Sequence, residues 1–363
     1  MNATQRLHDL GQSLWLDNIT RGLIVDGTLA RYIRELAVTG LTSNPTIFEQ
    51  AIGNSDFYDG AIREKARSGG AGEALFFALA LEDLVAAADL LRPIHDASHG
   101  ADGWVSLEVS PLLADDTAAT IAAAAQLSAR AQRANLFIKI PGTSAGIPAI
   151  EASIHAGVPV NVTLLFSPEH YVAAAEAYMR GIERRIAAGR GPAIASVASL
   201  FVSRWDVAIK DKVAAPLRNR LGIAIAMRTY KAYRELLAST RWRKLAAAGA
   251  RPQRLLWAST GTKDPAAPDL LYVEALAAPD TIDTMPEKTL LALADHGKVK
   301  DAMPVDGGDA ESVLAEFARA GVDTSALASQ LQREGTAAFA SSWRELMARI
   351  ASKSAALAKA PSA

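Results

Sequence analysis

Eight short runs rich in β-branched and aromatic residues recur along the chain, separated by alanine-rich stretches of helical spacing. They are "SLWLD" (13–17), "VTGLTSN" (38–44), "WVSLEVS" (104–110), "LFIKIP" (136–141), "PVNVTLLFS" (159–167), "AIASVASLFV" (193–202), "RLLWAST" (254–260) and the weakest, "TIDTMP" (281–286). Such alternation predicts parallel strands joined by crossover helices, and eight is the number that closes the sheet into a (β/α)8 TIM barrel. Asp115 and Asp116 can cap the helix "TAATIAAAAQLSARAQRA", and "SPEHYVAAAEAYMRGIERRIAAG" opens on Ser-Pro and stops at glycine. Residues 205–250 hold more helix than one crossover needs, and 309–356 form a further tract expected to close over an end of the barrel. With 363 residues, half of them hydrophobic, and no composition break, the expectation is one domain over 1–356 and a flexible tail over 357–363.

Strand alternation then places polar side chains on one side of the sheet. In "LFIKIP" Leu136, Ile138 and Ile140 share a face, and Phe137, Lys139 and Pro141 the other. "VSLEVS" opposes Ser106, Glu108 and Ser110 to Val105, Leu107 and Val109, and "VNVTLL" opposes Asn161 and Thr163 to Val160, Val162 and Leu164. Asp17 ends the first run, and Thr42, Ser43 and Asn44 end the second. Five strands thus carry polar groups on the face away from the helices, near their carboxyl ends, where barrels of this class assemble active sites.

A lysine is rarely buried without a reason. Desolvation disfavours an ammonium, so a shielded amine is available as a nucleophile. It can condense with a carbonyl, and the resulting iminium draws electrons from an adjacent carbon–carbon bond. Carboxylates are then needed to move protons, and Asp17 and Glu108 are placed for that work. The spacing alone leaves open a purely structural ion pair between Lys139 and Glu108, with Asp17 accepting hydrogen bonds at a strand end.

From "WLDNITRG" through "GLTSNPTIF", "SLEVSP", "FIKIPGT", "NVTLLFS" and "SLFVSRWD" to "WASTGTK", the chain resembles the transaldolases, in particular their longer bacterial form. The resemblance implies a circularly permuted barrel of the class I aldolase type with additional helices, needing no metal and no organic cofactor. It also implies transfer of a dihydroxyacetone unit from a ketose phosphate (sedoheptulose 7-phosphate or fructose 6-phosphate) to an aldose phosphate (glyceraldehyde 3-phosphate or erythrose 4-phosphate), a step of the pentose phosphate pathway. By the same resemblance Lys139 forms the Schiff base and Asp17 handles the C4 hydroxyl proton. Glu108 acts through a water that Thr163 helps to position. Asn44 and Asn161 hold substrate hydroxyls and the three-carbon intermediate, with Thr42 and Ser199 beside them. Arg204 in "SLFVSRW" matches the family's phosphate arginine, although the family often has glycine at Ser203. After the seventh strand the common wording Ser-Phe-Arg is replaced, so Ser259 still matches and Lys263 stands in for the arginine as a point charge.

Two alternatives share these residues: an aldolase that releases free dihydroxyacetone, and a sugar-phosphate binding protein without catalysis. Other signals point nowhere new. "GTSAG" (142–146) and "SGGAG" (68–72) lack the pattern of a nucleotide loop, and the six histidines show no ligand spacing. With 38 basic against 39 acidic side chains there is no surplus to hold nucleic acid. The absence of cysteine, of a basic leader and of an apolar run near about 18 residues leads to the expectation of a cytoplasmic protein, monomer or homodimer, with no membrane partner.

Overall fold

The structure, a computed structural model, describes residues 2–299 and 301–359. Strands β1 (Ser13–Asp17), β2 (Val38–Thr42), β3 (Trp104–Glu108), β4 (Leu136–Pro141), β5 (Val160–Leu165), β6 (Ser196–Phe201), β7 (Gln253–Ala258) and β8 (Ile282–Met285) pair in parallel in sequence order, and β8 closes onto β1. This is the expected (β/α)8 barrel.

Helix α1 (Ala3–Asp9) precedes β1, and the first two crossings use α2 (Arg21–Val25), α3 (Thr28–Glu35), α4 (Pro45–Gly53), α5 (Asp59–Arg67) and α6 (Gly72–Ala97). Single helices α7 (Thr117–Ala131), α8 (Gly146–Ala156) and α9 (Pro168–Ala187) serve the next three. After β6 come α10 (Ser203–Ile209), α11 (Leu221–Ala238) and α12 (Thr240–Ala247), and after β7 the short α13 (Leu271–Ala275). The tract expected over 309–356 divides into α15 (Ala310–Arg319) and α16 (Thr324–Lys359), which follow α14 (Glu287–His296). Of the tail expected from 357, residues 357–359 continue α16, and 360–363 lie outside the described residues.

The helices begin where their caps dictate. Asp116, not Asp115, accepts the Ala119 N–H at 2.9 Å, and Ser167 accepts that of His170 at 3.2 Å ahead of Pro168. No helix among the described residues is long and apolar enough to cross a membrane.

Alternation sorts each strand into two environments. Leu14, Leu16, Ile138, Ile140, Val160 and Val162 face the helices and join the large outer core. Inside, toward the amino ends of the strands, Trp15, Trp104, Phe137, Val197 and Ile282 fill the barrel. Trp104 stacks on Phe137 with centroids 4.1 Å apart, and Trp15 lies 6.2 Å from Phe137 with its indole N–H donated to Asp102 at 2.8 Å. These rings make a floor beneath the polar groups at the carboxyl ends of the strands.

Gly40 of β2 is fixed by that floor. A β-carbon there would sit 2.6 Å from the Trp15 indole, which is fully buried beside Phe137 and tied by its bond to Asp102. Gly40→Ala is therefore expected to destabilise the protein by about 1–3 kcal/mol. Urea unfolding measures this; an unchanged midpoint would show that the floor is soft.

Candidate active site

Lys139 enters the barrel from the middle of β4, and its side chain is held out of bulk solvent, with the residue 5% exposed. Register places Glu108 beside it on β3, and Nζ lies 3.4 Å from Glu108 Oε2. The ion pair left open by the spacing therefore exists. Nζ also donates to the carbonyl oxygen of Ser43 at 3.0 Å, so backbone from the end of β2 aims the amine. Burial pushes the Glu108 carboxyl above its usual range, opposed by the Lys139 charge, and makes it a readier proton acceptor than a surface glutamate.

Asp17, the last residue of β1, is raised by burial as well, with Lys139 again opposing the shift. Its Oδ1 accepts the Thr42 hydroxyl at 2.7 Å. Thr42 and Thr284 hydroxyls are also 2.7 Å apart. Each hydroxyl has one hydrogen, so a chain from Thr284 through Thr42 to Asp17 orients the carboxylate.

Asp17, Thr42, Asn44, Lys139, Thr163, Ser199, Arg204, Ser259 and Lys263 all line one cavity of ≈ 220 Å³ at the carboxyl ends of the strands. Glu108 and Asn161 are not on its wall. Glu108 reaches it through Lys139, and Asn161 through Ser199, whose hydroxyl donates to Asn161 Oδ1 at 2.7 Å. Asn161 gives its amide to Ser106 at 3.1 Å. Asn44 spends Oδ1 on capping α4 through the Ile47 N–H at 3.1 Å, which leaves its amide for a ligand. Among the described residues the Thr163 hydroxyl, buried beside the lysine strand, has no hydrogen-bond partner and can serve a water or a substrate hydroxyl.

At the rim the Ser203 and Ser259 hydroxyls are 2.9 Å apart, so the serine that departs from the family's glycine ties the loop after β6 to that after β7. Arg204 is half-buried, and Lys263 is exposed at the cavity edge. Burial lowers the Arg204 pKa, yet a guanidinium stays charged.

Several lining residues were not singled out from the sequence. Thr284 could have been, because alternation in "TIDTMP" pairs it with Ile282. Gln50 and Phe339 reach the wall from α4 and α16, and only tertiary packing puts them there. Ser43, named above for its polar side chain, is not on the wall and meets Lys139 through its backbone carbonyl. Among the described residues, no three His, Asp or Glu side chains gather as a metal site.

An amine and two carboxyl groups converging at the carboxyl ends of a closed parallel barrel define a Schiff-base, class I aldolase type of enzyme. The chain belongs to the transaldolase/fructose-6-phosphate aldolase family, whose model matches residues 14–350. It is 47% identical over 350 residues to a transaldolase of Parafrankia sp. (strain EAN1pec), covering 94% of this chain and 95% of that protein. It is 47% identical over 357 residues to Transaldolase 1 of Streptomyces coelicolor, covering 96% and 94%. To a transaldolase of Thiobacillus denitrificans it is 45% identical over 358 residues, covering 96% and 100%.

Behind the wall, Asp283 of β8 is fully buried and accepts the Thr260 hydroxyl at 2.7 Å, while its Oδ2 has no partner among the described residues. Burial pushes its carboxyl from 3.8 up to about 7. The folded state then binds this proton more tightly than the unfolded chain does. Stability is present below the ordinary pKa and is lost as pH rises toward 7. Asp283→Asn should therefore stabilise the protein at pH 8, by up to ~4 kcal/mol, with a gain that shrinks as pH falls toward 5. Denaturant midpoints across that range measure it, and an equal effect at both ends contradicts the assignment.

Proposed function

We propose that the chain is a transaldolase that moves a dihydroxyacetone unit from a ketose phosphate to an aldose phosphate in the cytoplasmic pentose phosphate pathway. One observation carries this reading: a buried amine, flanked by two carboxyl groups of raised pKa, at the foot of a cavity with cations at its rim.

The chemistry follows from that placement. Lys139 passes its proton to Glu108 and adds as free amine to the C2 carbonyl of the ketose. The carbinolamine loses water to give the iminium, with Glu108 supplying the proton through a water held at Thr163. Asp17 takes the C4 hydroxyl proton, C4 becomes the aldehyde of the departing aldose phosphate, and the C3–C4 electron pair moves into the iminium as an enamine. That carbon attacks the incoming aldehyde, Asp17 returns the proton to the new hydroxyl, and hydrolysis frees Lys139. Asn44, Asn161 and Ser199 position the three-carbon unit, and Arg204, Ser259 and Lys263 hold phosphate.

Borohydride reduction with fructose 6-phosphate should leave a stable adduct on Lys139, and Lys139→Met should abolish both adduct and turnover. Asp17→Asn should still form the adduct yet lose ~10²–10⁴ in kcat, because its proton is needed only when the carbon bond breaks. Erythrose 4-phosphate should be required for rapid turnover. Dihydroxyacetone released equally fast without acceptor makes the enzyme an aldolase, and no adduct at all makes it a binding protein.

A further inference from the structure

Arg204 is held differently from Arg21 and Arg254, which are also half-buried. Arg21 gives its donors to Asp83 at 2.7 Å and Glu82 at 2.8 Å, and Arg254 gives its own to Ala101, Ser13 and Thr281 oxygens at 2.8–3.0 Å. Among the described residues no hydrogen bond or ion pair engages Arg204. Aromatic rings hold it instead: its Cζ lies 5.1 Å from the Phe201 centroid and 5.8 Å from that of Phe339. The rings are themselves in contact, with centroids 6.4 Å apart.

Phe201 ends β6, three residues before the arginine, but Phe339 arrives from α16. Phe339 is 7% exposed and lines the cavity. The helix comes this close because Gly335, one turn earlier, has no side chain. A β-carbon there would lie 2.9 Å from Leu164 Cδ2 and 3.3 Å from Arg204 Nη1. A ring face attracts a guanidinium without occupying its N–H groups, whereas a carboxylate would consume them and cancel the charge.

We propose that Phe339 is a positioning residue that, together with Phe201, holds the Arg204 guanidinium at the cavity rim with its donors free for the substrate phosphate. The role rests on the transaldolase reading of the same site. It makes the last helix part of phosphate recognition, although α16 brings no charged side chain to that cavity. Removing the ring leaves Arg204 free to turn into solvent, which weakens binding of the phosphorylated end and leaves the chemistry at Lys139 in place.

Phe339→Met keeps an apolar side chain of similar volume and removes the ring, whereas Phe339→Tyr keeps the ring. For the Met variant, KM for fructose 6-phosphate should rise roughly five- to tenfold with a smaller change in kcat. Affinity for inorganic phosphate, measured by titration calorimetry, should fall by the same factor, and KM for unphosphorylated fructose should hold. The Tyr variant should bind phosphate as the parent does. The proposal is overturned if the Met variant binds phosphate normally, if phosphorylated and unphosphorylated substrates suffer equally, or if Tyr is as impaired as Met. Thermal melting checks folding, and Phe339→Leu replaces Met if that variant is unfolded. Should the parent form no adduct with fructose 6-phosphate, the transaldolase reading fails, while phosphate titration still tests the aromatic clamp.

Discussion

A charged amine inside a closed ring of strands demands a partner, and the pairing of Lys139 with Glu108 is the constraint around which the upper barrel is organised. Buried ion pairs are costly, and one member alone is costlier still. The pair persists here because its surroundings are polar: the Ser43 carbonyl accepts a hydrogen bond from Lys139, and the Asp17 carboxyl lies nearby. A structural role and a catalytic one are therefore not competitors. The contact that makes the lysine tolerable in the resting protein also sets a carboxyl group of raised pKa within reach of its amine.

The polar ring needs a dry floor. Trp15, Trp104, Phe137, Val197 and Ile282 close the barrel from below, and the same strands that provide them carry the polar groups of the site one or two alternations further on. Trp15 precedes Asp17, Trp104 precedes Glu108 by two alternations, and Phe137 precedes Lys139. A slip of one residue in any of these strands would turn both floor and site toward the helices, so packing of the aromatic floor also fixes the register of the chemistry.

This coupling explains what the sequence could show. β1 and β4 begin and end where their patterns indicate, and Lys139, Glu108, Asp17 and Thr163 converge, because period-two alternation and closure at eight strands are local and geometric facts. The other runs extend one to three residues past the ladder at one or both ends, since polar residues such as Ser110 and Asn44 continue an extended appearance after it stops, and the seventh begins one residue after Gln253, where β7 starts. What stayed hidden depends on distant packing or on backbone. The Ser43 carbonyl carries no residue signature, and Phe339 belongs to a helix nearly 200 residues from the lysine it shares a cavity with. Thr284 lay within reach, in a strand too short to assert itself.

The final helix does more than cover the barrel. Beyond Phe339, the Gln332 side-chain amide of α16 donates to the carbonyl oxygens of Gly142 and Leu164, both at 3.0 Å. Gly142 follows β4, and Leu164 sits in a left-handed conformation, φ 60°, where β5 departs from regular pairing with β6. Such a conformation is unfavourable for leucine and needs support from its surroundings. One glutamine thus clasps the ends of the two strands that carry Lys139 and Thr163. Thr46 bonds Ser342 at 2.9 Å, and Arg349 pairs with Glu49 at 3.1 Å, so the same helix is fastened to α4, whose first residue follows Asn44. The strands that carry Lys139 and Thr163, the helix that Asn44 caps and the Arg204 guanidinium are therefore all braced by one element. For a site built from separate strands, that shared buttress keeps their tips in a fixed relation while the barrel below supplies the rigidity.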